Sequence, residues 1–127
     1  MQHTEHYDLN IIETSDAFSP EALNENTRKL DGLVTQIVAG SYNGDNADTR
    51  NFDLGFKPRA VLLFREDGCT FVPYNIYGGL ALRGAPLTRG SIGGPAMTVT
   101  DTGFCVYNNA YSYTNYGGTK YFYIAFR

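Results

Sequence analysis

Met97-Thr-Val-Thr-Asp-Thr-Gly-Phe-Cys-Val-Tyr107 decides the reading of this chain. Two runs of strand-forming residues flank Asp101-Thr-Gly103, a short polar connection of the kind that folds one strand back on the other. The stretch is predicted as an antiparallel hairpin. Working outward, Lys120-Tyr-Phe-Tyr-Ile-Ala-Phe126 reads as an aromatic closing strand, and Ala60-Val-Leu-Leu-Phe64, the most apolar run, as a central one. Glu66-Asp67-Gly68 turns that strand back into Cys69-Thr-Phe-Val-Pro-Tyr74. Thr49-Arg-Asn-Phe-Asp-Leu54 alternates polar and apolar, which suits a strand with one solvated face. Gly55-Phe-Lys-Pro58 ends it, because proline cannot donate to a ladder. Residues 34–42 form a further strand closed by Asn43-Gly44-Asp45. Together these make six to eight short antiparallel strands, a mainly β chain folded as a β-sandwich.

Two segments interrupt the strands. Residues 75–95 carry Gly78-Gly79, Gly84, Pro86, Gly90, Gly93-Gly94 and Pro95 and are predicted as a long loop with one short strand near Leu80 to Arg83. Residues 108–119 form a second, polar loop. Long loops in compact domains often carry function.

The amino-terminal part is different. A polar leader, residues 1–18, precedes a helix over about 19–33. Ser19 is placed as its N-cap, Pro20 at the first helical position, Phe18 and Leu23 as a hydrophobic staple, and Gly32 as its stop. Leu23, Asn26, Leu30 and Leu33 recur at alternating spacings of three and four. That is either the seam of a coiled coil, with Asn setting register, or a stripe that docks on the chain's own sheet. The chain thus divides into a leader and stalk helix, 1–33, and a β head, 34–127.

Composition narrows the function. Hydrophobic content of 43% with 18% charged residues excludes a disordered chain. Ten Tyr, eight Phe and 14 Gly, with no Trp, favour strands joined by tight turns. The net charge is −3 and the basic residues are scattered singly, which argues against a nucleic-acid partner. No apolar run approaches a membrane span, so membrane insertion is not expected, and residues 1–10 lack the apolar core of a signal peptide. The chain is therefore expected to be made in the cytoplasm without a signal peptide. Cys69 and Cys105 read as two buried free thiols rather than a disulfide.

Catalytic chemistry finds little to work with. His3 and His6, the two histidines, lie in the leader, away from any serine or cysteine of the head. Asp45, Glu66, Asp67 and Asp101 fall in predicted turns, where a carboxylate serves the local backbone rather than a glycoside. No glycine-rich stretch follows a strand and opens a helix, and no cysteine or carboxylate spacing fits zinc or calcium. The chain is read as a non-enzyme without metal or cofactor.

What remains is surface. Tyr107, Tyr111, Tyr113 and Tyr116 are interleaved with Asn109 and Asn115 in the second loop, and Tyr74, Asn75 and Tyr77 open the first. Rings that stack on apolar faces, beside amides and hydroxyls that satisfy polar groups, suit a sugar or a protein epitope. The same tyrosines could instead pack across strands or between subunits.

Several passages also carry a family resemblance. Tyr7-Asp-Leu-Asn-Ile-Ile-Glu-Thr-Ser-Asp16 with Leu23-Asn-Glu-Asn26 and Lys29-Leu-Asp31 is similar to the opening of tail-fibre or tail-tip proteins of phages and prophages of Gram-positive bacteria. Gly40-Ser-Tyr-Asn-Gly-Asp45, Leu54-Gly-Phe-Lys-Pro-Arg-Ala-Val-Leu-Leu-Phe64, Val99-Thr-Asp-Thr-Gly-Phe-Cys-Val106 and Tyr121-Phe-Tyr-Ile-Ala-Phe126 resemble the domain that follows in them. The head also resembles, more loosely, the H-type lectins, through Pro58, Gly103-Phe104 and Ile124-Ala125. It departs from them in lacking a Trp in the last strand and in its Gly-rich insertion. The resemblance implies a homotrimer in a virion or phage-tail-like particle, with a cell-surface glycan or other tail proteins as partners. Its head would be receptor-binding, or else a structural assembly module with no ligand of its own.

Overall fold

The computed structural model describes residues 1–127 apart from Phe18, Val34, Ser91 and Ile92. The chain falls into two compact units, Met1–Thr35 and Gln36–Arg127.

In the first unit, two short antiparallel strands, β1 (Gln2–His3) and β2 (Asn10–Ile11), precede helix α1 (Pro20–Leu33). The cap is as expected: the Ser19 hydroxyl accepts from the Ala22 N–H at 3.4 Å, and Pro20 occupies the first helical position, where no donor is lost. The staple partner Phe18 lies outside the described residues. Gly32 sits inside the last turn rather than stopping it.

The leader is not a free tail. The Asn10 N–H donates to Asn26 Oδ1 at 2.7 Å, and Asn26 Nδ2 donates back to the Asn10 carbonyl at 3.0 Å. Lys29 Nζ bridges the Asp8 carbonyl and carboxylate, at 2.7 and 3.1 Å. This corrects the reading of Asn26 as the polar position of an oligomer seam, because the leader already uses both ends of its amide. Leu23, Leu30 and Leu33 stay exposed.

The second unit contains β3 (Ile37–Asn43), β4 (Thr49–Asp53), β5 (Ala60–Arg65), β6 (Phe71–Val72), β7 (Asn75–Ile76), β8 (Gly79–Leu82), β9 (Leu87–Thr88), β10 (Pro95–Val99), β11 (Gly103–Tyr107) and β12 (Lys120–Phe126). Eight of these build two four-stranded antiparallel sheets, ordered β4-β11-β10-β9 and β3-β12-β5-β8. The fold is the expected mainly β sandwich. The hairpin read first in the sequence is β10–β11, with Thr98 opposite Cys105.

Alternation along the strands sends one set of side chains into the core. Tyr42, Leu63 and Tyr121 from one sheet meet Met97, Phe104 and Val106 from the other. Aromatic rings fill the core without a Trp. Phe52 stacks on Phe104 with centroids 4.8 Å apart, and Tyr42 on Tyr121 at 4.9 Å. Gly103 starts β11 so close to β4 that a Cβ would overlap the Phe52 carbonyl. Gly103→Ala must therefore push two paired strands apart. It should cost about 2 kcal/mol in equilibrium urea unfolding, and a loss below about 0.5 kcal/mol would show that the strands yield freely.

Two expectations change. Residues 75–95 hold three short strands, β7, β8 and β9, instead of one, because their backbone finds partners in neighbouring strands despite the punctuation of Gly and Pro. Residues 69–74 shrink from a strand to β6, which pairs with β7 across Pro73 and Tyr74. Both cysteines are free; Cys105 is buried as expected, whereas Cys69 is only half-buried.

A candidate binding surface of two laced loops

The two loops read separately in the sequence are stitched together. The Ile76 N–H donates to the Tyr111 carbonyl at 3.0 Å, and the Tyr113 N–H donates to the Ile76 carbonyl at 2.7 Å. With its amide assigned to suit its neighbours, Asn75 donates to the carbonyls of Tyr74 and Ala110, 3.1 Å from each. β7 thus behaves as a short strand of the 108–116 loop, and the tyrosines of both segments share one surface.

That surface is anchored from below. Thr114 Oγ1 donates to the Ala96 carbonyl at 2.6 Å and accepts from the Tyr107 N–H at 2.8 Å. The Tyr42 hydroxyl donates to the Thr114 carbonyl at 2.5 Å, and the Tyr121 hydroxyl donates to the carbonyl of Tyr113. Burial pushes the Tyr121 phenol up to about 12 and that of Tyr42 higher still. Both hydroxyls remain donors at neutral pH.

Several residues expected at a ligand turn out to hold the loops. Asn115 is fully buried: its Nδ2 donates to Asp45 Oδ1 at 2.6 Å and to the Ala47 carbonyl at 3.1 Å, while its Oδ1 accepts from the Asp45 N–H at 3.3 Å. Asn109 Oδ1 accepts from the N–H groups of Tyr111 and Ser112, both at 3.0 Å, closing the local turn. Tyr107 is half-buried, its hydroxyl 3.2 Å from Thr98 Oγ1. Asn115 and Tyr107 are thus corrected from ligand-facing to supporting residues, and Asn109, though exposed, spends its amide oxygen on the turn.

The outward residues form two aromatic groups. In one, Tyr113 stacks on Tyr116 at 4.8 Å, and Tyr77 meets Tyr113 edge-on at 5.5 Å. Arg65 covers the Tyr77 ring at 4.6 Å and is clamped by Asp67, whose carboxyl it holds down at about 2, with help from the Cys69 N–H. Tyr77 and Tyr113 are half-buried, leaving Tyr116 as the exposed ring. In the other group, Arg89 lies 5.9 Å from the Tyr74 ring centre and 5.2 Å from that of Tyr111. Among the described residues, no carboxylate lies within ion-pair distance of Arg89. Sequence reasoning missed Arg89; a cation within a Gly-rich loop was its only signal.

Tyr74 is the most unusual member. It follows Pro73 in the two-residue turn between β6 and β7, at φ 83°, a conformation usually left to glycine. A tyrosine held there is strained by about 1 kcal/mol, and the residue is 73% exposed. Strain without burial contributes no packing to offset its cost.

Asp45 and Asp67, expected in turns, serve the local backbone there, and Asp53 at the end of β4 does the same. Asp45, Asp53 and Asp67 each accept a backbone N–H from two residues ahead. The N–H of Ala47, and then Asn115, hold Asp45 below the usual carboxylate range. Among the described residues, no three His, Cys, Asp or Glu side chains converge on a metal-sized site. No described helix is long and apolar enough to cross a membrane. No protein-family model, curated protein or solved structure matches the chain.

Proposed function

We propose that this chain is a non-catalytic, homotrimeric adhesion head of the phage-tail kind that its sequence resembles, working in a virion or phage-tail-like particle. Its ligand is a cell-surface glycan, bound by Tyr74, Arg89, Tyr111 and Tyr116. The single observation that carries the reading is Tyr74: a residue of strained backbone whose side chain is exposed beside a guanidinium that has no acid partner among the described residues. Local strain retained where it contributes no packing points to a role outside the fold. Exposed rings offer faces to the apolar side of a sugar, and Arg89 adds a preference for one bearing a carboxylate or phosphate.

Tyr74→Gly separates this role from a structural one. It should raise stability by about 1 kcal/mol, by relieving the positive φ, and yet weaken binding to a panel of immobilised bacterial surface polysaccharides about tenfold. Arg89→Ala should remove any preference for acidic over neutral polysaccharides, along with the salt dependence of binding. Unchanged binding in Tyr74→Gly, Arg89→Ala and Tyr111→Ala together would overturn the assignment.

A second reading, a structural assembly module without a ligand, draws support from the apolar outer face of one sheet. It expects no polysaccharide on the panel to bind.

A further inference from the structure

In the sheet β3-β12-β5-β8, most residues that alternate away from the core are apolar, Ser41, Asn43 and Lys120 at one end excepted, against the usual pattern of a solvated outer face. The register aligns them in cross-strand rows: Ile124 lies between Ala39 and Leu62, with Leu80 beyond, and Phe122 lies beside Phe64. Ile37, Phe64, Leu80, Leu82, Phe122 and Ile124 are each 37–59% exposed. Among the inward rows of the same strands, the matching positions Val61, Leu63, Ala81, Tyr121 and Ala125 are fully buried, so the sheet is apolar on both sides.

We propose that this outer face is where copies of the chain meet. The inference rests on the self-assembling reading above and locates the contact that reading requires. Four strands about 4.8 Å apart and three two-residue steps of about 6.8 Å give a plane of roughly 400 Å², and protruding side chains raise its accessible area to roughly 600 Å². Monomeric proteins seldom leave that much contiguous apolar surface open. Two such faces together would bury roughly 1,200 Å², the lower bound for a specific, stable interface.

The chemistry selects the occupant. Within the three rows through Phe126, Ile124 and Phe122 the one polar side chain is Ser41. The next row, Asn43 beside Lys120, forms a polar rim, with the Lys120 ammonium 5.3 Å from the Phe122 ring centre. A glycan seated on the apolar rows would therefore leave most of its hydroxyls unpaired. The best complement for a flat apolar sheet face is another of the same shape, and a second copy supplies it by symmetry. The helix seam is a poorer contact, because Asn26 is already bound to the leader and α1 is only 14 residues long.

The test is the native mass of the full chain by light scattering, across a dilution series, for the native protein and three variants. The native chain should run at three times 14.1 kDa, the three outer faces meeting around one axis; a face-to-face dimer would keep this contact and overturn the trimeric reading. Phe122→Lys combined with Leu80→Lys should reduce it to one copy, or raise its apparent dissociation constant at least about thirtyfold, with the β signal in circular dichroism retained. Leu82→Lys, on the neighbouring row, repeats the test should the double variant fail to fold. Leu30→Lys in the helix should leave the mass unchanged. A native monomer would overturn both this inference and the self-assembling reading. An oligomer split by Leu30→Lys but not by the face variants would overturn this inference alone, and the polysaccharide panel tests the ligand separately.

Discussion

Asn115→Leu should lower the melting temperature by about 20 °C, corresponding to roughly 4 kcal/mol in a domain of this size. The side chain is fully buried and ties its own loop to the 45–47 turn, distant in sequence. Its amide nitrogen serves the Asp45 carboxylate and the Ala47 carbonyl, and its oxygen receives the Asp45 N–H. Leucine has similar bulk and none of these groups, so the loss falls on polar partners left without a mate. One of them is ionised at neutral pH, which makes its hydrogen bond costlier to lose than a neutral one. Scanning calorimetry reads the effect directly, and a shift under about 5 °C would mean that water replaces the amide at little cost. Because Asn115 pins the loop that carries Tyr111 and Tyr116, polysaccharide binding should fall with stability in this variant. Tyr74→Gly should do the opposite on stability, so the pair separates loop architecture from contact.

The second large effect lies at high pH. Tyr42 and Tyr121 stack face to face in the core, and each donates its hydroxyl to a carbonyl of the 113–114 segment. Burial raises both phenols above their ordinary value near 10, Tyr121 to about 12 and Tyr42 further. The folded state therefore favours the protonated form. Its stabilisation is complete below the unfolded value and is lost as pH rises toward the folded one. Each phenol should cost about 1.4 kcal/mol per pH unit above pH 10, so the two together remove roughly 3 kcal/mol per unit. Urea unfolding at a series of pH values from 8 to 12 should show a plateau and then a steep fall. Of the ten tyrosines, these two should add their share of the tyrosinate absorbance only with unfolding, as a second rise that Tyr42→Phe and Tyr121→Phe remove. Stability that stays level through pH 12 would show that these hydroxyls ionise freely in the folded protein.

Legibility in the sequence followed the range of the interactions. The β10–β11 hairpin, the closing strand β12 and the apolar β5 were readable because alternation and turn residues are local signals. The Ser19-Pro20 helix start was readable for the same reason. Short strands β7 and β9 were not, since a two-residue strand has no period of its own and exists through its neighbour. Within the site, the tyrosine and asparagine composition marked the loop. Inward and outward members could not be told apart, because the partners of Asn115 lie about 70 residues away. Arg89 joined Tyr74 and Tyr111 through folding alone.

By itself, then, the sequence determined a mainly β sandwich with one capped helix ahead of it and a Tyr-rich polar loop near the end. Those features follow from residue-by-residue preferences for strand, turn and cap. Only the tertiary structure decided that the two loops form one surface, that Tyr74 is held at φ 83°, and that Phe122 and Ile124 face outward. A β-strand offers the same alternation to either side, so a run as apolar as Tyr121–Phe126 in β12 carries little local mark of which face will meet the core. The facing sheet settles it, and the sheet is assembled from strands far apart in the chain.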